Sequence, residues 1–441
     1  MENQGRTFFI CCQSGTPEEV RKELESGAMA DQIGKNGWTT LMYAAFGNPS
    51  PEVCRILVEA GSDIHARARN GATALMLAAG ANKNPEVITE LLKAGGGLEH
   101  TDYDGWDALM HAAYQNHNPA VVAALISAAP DGEQLKLVNR RYERGWTILM
   151  NAAANNQSAG IIEKLIELGA DPAATDSLGW SARMHAAYEN SSVEVLEKLL
   201  NHDEPLDRPD EQGRTALILA AGNNTNSKIV ARLLAAGADT GFTDKEGWNA
   251  LHHAAANNTN QDIIALLLTA GLTPDGMTPT GMTALMAAAA SNPSIEVTRA
   301  LIHTGIDINA QDTDLRTALH YAASGNSNNK IVELLLESGA KTGLKDRRGR
   351  TPLFSAAARS RIRGLVQLLI ENGAPVEEAD NEGQTPLMAA TMYQSQMQSI
   401  AALLNAGADP NHHDAEGRTA LIHAVQWSGR EEAIATLISA G

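Results

Sequence analysis

Aromatic residues make up only 4% of the 441-residue chain, cysteines number three, and 34 Lys plus Arg stand against 52 Asp plus Glu, a formal charge of −18. Each shortage excludes something. Cys11, Cys12 and Cys54 are too few and odd in number for a disulfide framework, and point to thiols kept reduced in a cytoplasm-like compartment. The adjacent Cys11 and Cys12 read as small buried residues of a first helix, with redox activity as the alternative. A strongly negative chain repels nucleic acid phosphates and anionic membrane surfaces, so no nucleic acid and no membrane is expected as a partner. No apolar run approaches the roughly 18 residues that cross a bilayer, and Phe8-Phe9-Ile10-Cys11-Cys12 is too short for a signal-peptide core. The expectation is a soluble cytoplasmic protein, with export by a non-classical route left open. The 44% hydrophobic share is ample for a folded core and excludes disorder or a collagen-like fibre.

Recognised enzyme patterns are missing as well. The chain has no P-loop, dinucleotide-binding glycine motif, nucleophile elbow, zinc-protease HExxH or CxxC pair. Thirteen histidines are scattered, and the pairs His252-His253 and His412-His413 lack further ligands at metal-site spacing. A noncatalytic protein with no cofactor and no metal is the reading.

What the chain does have is a repeat. "GWTTLMYAA" at Gly37 recurs as "GATALMLAA" at Gly71, "GWDALMHAA" at Gly105, "GWTILMNAA" at Gly145, "GWSARMHAA" at Gly179 and "GRTALILAA" at Gly213, and continues at Gly247, Gly281, Leu315, Gly349, Gly383 and Gly417. Ten of the eleven intervals are 34 residues; that from Gly105 to Gly145 is 40. Thr39, Thr73, Asp107, Thr147, Ser181, Thr215, Asn249 and Thr283 precede the apolar run and supply acceptors that cap a first helix. That helix carries a close-packing Ala pair and is expected to stop at Asn48, Asn82, Asn116, Asn156, Asn190 and their equivalents, because Asn tolerates the left-handed conformation. A second Asn or Ser (Ser50, Asn84, Asn118, Ser158), often followed by Pro, starts a second helix that ends at Gly61, Gly95, Gly169 and so on. An Asp three residues before the next unit's Gly, such as Asp102 or Asp176, is placed to bond local backbone in a hairpin-like finger. One such unit cannot bury its apolar face alone; stacking neighbours does so.

These residues resemble ankyrin repeats, most visibly in "GRTALILAA", "GWNALHHAA" and "LRTALHYAASGNSNNKIVELLLESGA", over residues 4 to 441. Departures are systematic: a 34-residue period, Met in place of the usual His after the core Leu, and an Asn-rich turn, suggesting a prokaryotic type. The resemblance implies an all-α, curved, continuous solenoid of helix-turn-helix units with short fingers. Residues 4–36 read as an N-terminal capping repeat, 37–416 as eleven repeats with an extended connection at 128–144, and 417–441 as a C-terminal capping repeat. Loss of the Asn turn from Gly349 onward suggests a sub-boundary there. The resemblance further implies a protein or peptide partner in the concave groove formed by fingers and first helices, and a monomer is expected.

Five of the six tryptophans follow the unit glycine: Trp38, Trp106, Trp146, Trp180 and Trp248. Residues five and eight further on share a helix face, giving Tyr43 and Phe46, His111 and Tyr114, His185 and Tyr188, and His253. Such a stacking surface suits an interface, and equally suits packing of finger on finger. After Gly281 the position turns basic, with Arg316 and Arg350; Lys345, Arg347, Arg348, Arg350, Arg359, Arg361 and Arg363 against Asp346 give +6 over 345–363. This is either a solvated face or a dock for an acidic segment, to which Arg316, Arg347 and Arg350 would contribute charge. The recurring Met42, Met76, Met110 and Met150 read as core filler. Arg183 stands at a core Leu position, Asp203 replaces a closing Gly, and the six-residue expansion before Gly145 is either neutral or functional. A protein-interaction scaffold is the expectation; its rivals are a small-molecule site for a cationic or aromatic ligand, and a secreted effector or immunity-type interaction protein.

Overall fold

The computed structural model describes residues 2–34, 36–326, 328–359, 364–392, 397–428 and 431–441. Among them the regular elements are helices, apart from one isolated antiparallel bridge between Ile33 and Thr39. They group into two compact units, Met1–Glu211 with Ala235–Gly237, and Gln212–Leu234 with Ala238–Gly441. The division falls near residue 211, and Arg361 and Arg363 of the basic cluster lie outside the described residues.

In the first unit, the inner helices Thr40–Gly47, Ala74–Ala81, Ala108–Gln115, Ile148–Asn155 and Ala182–Glu189 pack in sequence on one another. The outer helices Pro51–Glu59, Pro85–Lys93, Pro119–Ser127, Ala159–Glu167 and Val193–Leu200 do the same. The second unit repeats this arrangement, with inner helices including Ala216–Asn223, Ala250–Asn257, Ala284–Ser291 and Ala318–Gly325. The core runs between inner and outer rows: Leu41, Leu57, Leu75, Leu91, Leu109 and Leu125 are fully buried, each contributing about 1.5–3 kcal/mol of transfer free energy. Ala44-Ala45 and their equivalents are buried too, so backbones of successive inner helices approach closely.

Capping sets where each inner helix begins. Thr39, Thr73 and Thr147 each accept from the amide three residues on, that of Met42, Met76 and Met150. The same methionines return the contact, their sulfur 3.4 Å from the threonine amide. In the second unit His320 fills this place, its Nδ1 accepting from Thr317 N at 3.1 Å while Nε2 lies 3.0 Å from Arg350 O of the next repeat. Methionine thus keeps a weak form of the cap and fills the core.

The Asn turn has a different physical basis from the one its sequence suggests. Asn48, at φ −82° and ψ 125°, is extended, as are Asn82, Asn116, Asn156 and Asn190. These side chains are buried and reach into the preceding repeat: Asn82 Nδ2 donates to Ala45 O and Asn48 O, Asn116 to Ala79 O and Asn82 O, Asn156 to Ala113 O and Asn116 O. Each Oδ1 accepts from the amide two residues on, as Asn116 does from Asn118. The second unit repeats the ladder at Asn258, Asn292 and Asn326. The second-helix caps form at Asn84 and Asn118 but not at Ser50 or Ser158, whose side chains make no cap bond. Gly61, Gly95 and Gly169 end outer helices at φ between 94° and 98°, as their positions predict.

Candidate functional site

The finger aspartates place the candidate aromatic residues. Asp102 Oδ1 accepts from Asp104 N and Trp106 N at 3.0 and 2.9 Å, and Asp176, Asp244, Asp312, Asp346, Asp380 and Asp414 repeat the pattern. The second carboxylate oxygen reaches the inner helix. Asp102, Asp176, Asp244 and Asp414 hold His111, His185, His253 and His423 at 2.8–3.0 Å through Nε2, and Tyr321 donates to Asp312 at 2.6 Å. The constant nine-residue spacing was a signal available in the sequence. These histidines therefore brace finger to helix.

Around that brace the aromatic sets do assemble. Trp38 lies 5.3 and 5.2 Å from Tyr43 and Phe46, Trp106 lies 5.6 and 5.1 Å from His111 and Tyr114, and Trp180 lies 5.2 and 4.9 Å from His185 and Tyr188. Trp248 lies 5.4 Å from His253. Trp146, whose own repeat offers Asn151 at the histidine position, instead meets His185 of the next repeat at 4.3 Å. Exposure divides the set. Trp180 and His185 are buried, and Trp180 Nε1 donates to Asp210 at 2.8 Å. Trp38, Tyr43, Phe46, Trp106, His111, Trp146, Tyr188, Trp248 and His253 are half-buried, and Tyr114 is 38% exposed. Arg316 and Arg350 are half-buried, Arg350 pairing with Asp380 at 3.2 Å and Arg316 with Asp314 at 3.8 Å. Arg347 is exposed and donates to Thr313 O at 2.5 Å.

The expanded repeat departs from this scheme. Tyr142 takes the finger-aspartate position and Asp107 the cap; Asp107 is wholly buried, caps Met110 N, and accepts from Arg140 Nη1 at 2.9 Å and Tyr142 OH at 2.6 Å. Burial and the adjacent Asp107 carboxylate push the Tyr142 phenol well above its ordinary value. The Thr101–Trp106 and Arg140–Trp146 fingers flank a cleft of about 610 Å³ that Met110 also lines.

Titration follows burial. Desolvation lowers His185, His252 and His320, opposed at His185 by the hydrogen bond it donates to Asp176 and at His320 by the one it donates to Arg350 O. A histidine depressed in the folded chain binds fewer protons there than when unfolded, so its stabilisation is complete above about pH 6.5 and declines as pH falls through that range. Melting temperature should therefore fall from pH 7 to pH 5, and His320→Gln should flatten that slope; an unchanged slope would remove His320 from the account. Burial also raises the Cys12 thiol, and takes that of Cys54 up to about 12, so both stay protonated.

Among the described residues no group of three His, Cys, Asp or Glu side chains is placed to hold a metal ion, and no helix is long and apolar enough to cross a membrane. Comparison with curated proteins gives no match. A family model described as ankyrin repeats, in three copies, matches residues 48–137, 75–176, 149–244, 219–312, 289–377 and 356–441.

Proposed function

Because this chain belongs to the ankyrin-repeat family, whose repeats are generally protein-protein interaction modules, we propose that it is a noncatalytic scaffold that binds a protein or peptide across its fingers and inner helices. The observation that carries this is the recurrence, at repeat spacing, of aromatic sets left half-exposed after their braces are satisfied: Trp38 with Tyr43 and Phe46, Trp106 with Tyr114, and Trp248. Stability alone would favour burying such rings fully; a half-exposed Trp or Tyr with a fixed rotamer loses little entropy when a partner covers it. Arg347 and Arg316 would add charge complementarity, acting mainly on association rate. Trp180 and His185 support the surface from below.

The test uses variants whose side chains carry no brace. Tyr114→Ala and Phe46→Ala are each expected to weaken capture of a protein partner by about tenfold or more, the range of an aromatic hot spot, with melting temperature nearly unchanged. Arg347→Glu should lower the association rate and its salt dependence. Capture undiminished in all three variants would overturn the surface assignment.

A further inference from the structure

We propose that the six-residue expansion has opened the finger row of the first unit into a docking slot, between Asp104 and Glu143, for an extended peptide segment bearing a carboxylate beside an apolar side chain. The proposal rests on the interaction reading above and narrows it to one step of the array and one ligand chemistry.

Most neighbouring fingers are joined through their backbones. Tyr103 N donates to Asn70 O, Ser177 N to Arg144 O and Glu211 N to Leu178 O; within the second unit Lys245, Thr313, Arg347, Asn381 and Ala415 make the same bond at 2.7–2.9 Å. Between Asp104 and Glu143 no such bond exists among the described residues. A second measure agrees. A β-carbon placed on finger glycine 71, 179, 213, 281, 349 or 383 would come within 3.2 Å of the next finger's backbone, and one on Gly145 within 3.4 Å. On Gly105 it would meet nothing within 4 Å. The ladder bond is also missing between Asn36 and Arg69 and at Pro279, but there a β-carbon on Gly37 would come within 3.2 Å of Arg69 N and the proline ring lies against Gly247, so the row stays closed at both steps. The opening belongs to the expansion alone.

An opened ladder step is an unpaired edge, and an added strand satisfies such an edge through main-chain bonds. Here Asp104 O and the Glu143 amide are the groups without a backbone partner. Trp106, Trp146 and Met110 in the lining supply apolar surface for one side chain. Charge selects the neighbour. Arg140 is committed to Asp107 and Glu99, whereas Arg141 donates to Gly145 O and Thr175 O, and the Arg144 guanidinium has no hydrogen bond or ion pair among the described residues. Two guanidiniums thus lack a carboxylate, and a guanidinium fork matches that group bidentately. Asp104 and Glu143 also line the slot and disfavour a second acid. Arg144 is held at φ 55°, in the left-handed region that a long side chain rarely adopts, so the finger turn sets the point and direction from which its side chain leaves the backbone.

The experiment pans a phage-displayed library of random linear peptides on the full chain, and then measures each enriched peptide against Arg144→Glu, a variant whose replaced side chain has no partner to lose. Enriched peptides should carry Asp or Glu next to an aromatic or aliphatic residue. Measured by anisotropy, their affinity should fall by about tenfold in Arg144→Glu, rise in Glu143→Lys, and weaken with ionic strength. Peptides lacking an acid, or the opposite response to the two charge changes, would overturn the proposal. Peptides insensitive to Arg144→Glu but lost in Phe46→Ala would overturn the slot and leave the interaction surface standing. No enrichment, with indole-3-acetate raising the melting temperature instead, would make the cleft a small-molecule pocket and refute peptide docking.

Discussion

Arg183→Ala should destabilise the first unit by about 3–5 kcal/mol, read as an earlier urea midpoint, the cost of removing one partner from a buried ionic cluster. Arg183 and Glu204 are each 3% exposed, and Nη2 lies 3.6 Å from the Glu204 carboxylate. The carboxylate is the smaller part of the arrangement. Nη1 donates to Glu204 O and Pro205 O at 3.1 and 3.0 Å, and Nη2 to Leu199 O and Glu204 O at 3.2 and 3.1 Å. The carbonyls served lie in the last turn of Val193–Leu200 and just after it, where "NHDEPLD" lacks the glycine that ends other outer helices. The arginine therefore collects carbonyls that the missing Gly turn would otherwise have satisfied. Nε, buried without a partner, shows that the solution is incomplete.

A control separates charge from carbonyl binding. Glu204→Gln retains the main-chain acceptors, and burial already pushes the Glu204 carboxyl above the usual range, so neutralising it should cost less than about 1.5 kcal/mol. Arg183→Leu restores the repeat consensus yet should be nearly as damaging as alanine, because leucine offers no donor. If Arg183→Leu were as stable as the parent, the carbonyls would have found other donors and the account would fail.

The second large effect is expected at Asn156. Its Nδ2 donates to Ala113 O and Asn116 O at 3.0 and 2.8 Å, and its Oδ1 accepts from Ser158 N at 2.9 Å and contacts His117 Nδ1 at 3.1 Å. Asn156→Ala leaves two carbonyls and an amide without these partners in a fully buried site, at a cost of about 1–3 kcal/mol for each group left dry. Repeats couple mainly to neighbours, so hydrogen exchange should rise most in the inner helices Ala108–Gln115 and Ile148–Asn155. Asn156→Asp keeps the acceptors but sets a carboxylate against two carbonyls. Its folded pKa must then rise, so the variant is least stable relative to the parent at neutral pH and recovers as pH falls through that raised value. A pH-independent deficit would show that the carbonyls do not face the substituted group.

Much of the fold was legible because its causes are local. A Thr or Asp before an apolar run caps a helix within three residues, a Gly after one closes it, and a finger Asp bonds amides two and four residues ahead. The aromatic sets at five- and eight-residue offsets were likewise within reach of helical geometry. The Asn turn was misread for the converse reason: its partners lie 34 to 43 residues away, on the preceding repeat, where a sequence window sees only a helix stop. The half-buried and buried histidines are similar. Their aspartates are nine residues back across a turn, so a helix wheel shows their face but not their partner.

By itself the sequence determined the repeat unit, its period, its caps and the family, since each follows from residue types acting over a few positions and recurring. Only the tertiary structure decided which aromatic rings stay open, which histidines are spent as braces, how Arg183 lives in a core, and that the expansion parts two fingers. Those outcomes depend on contacts made across a turn or between layers, between residues from nine to more than thirty positions apart, beyond the reach of a local sequence pattern.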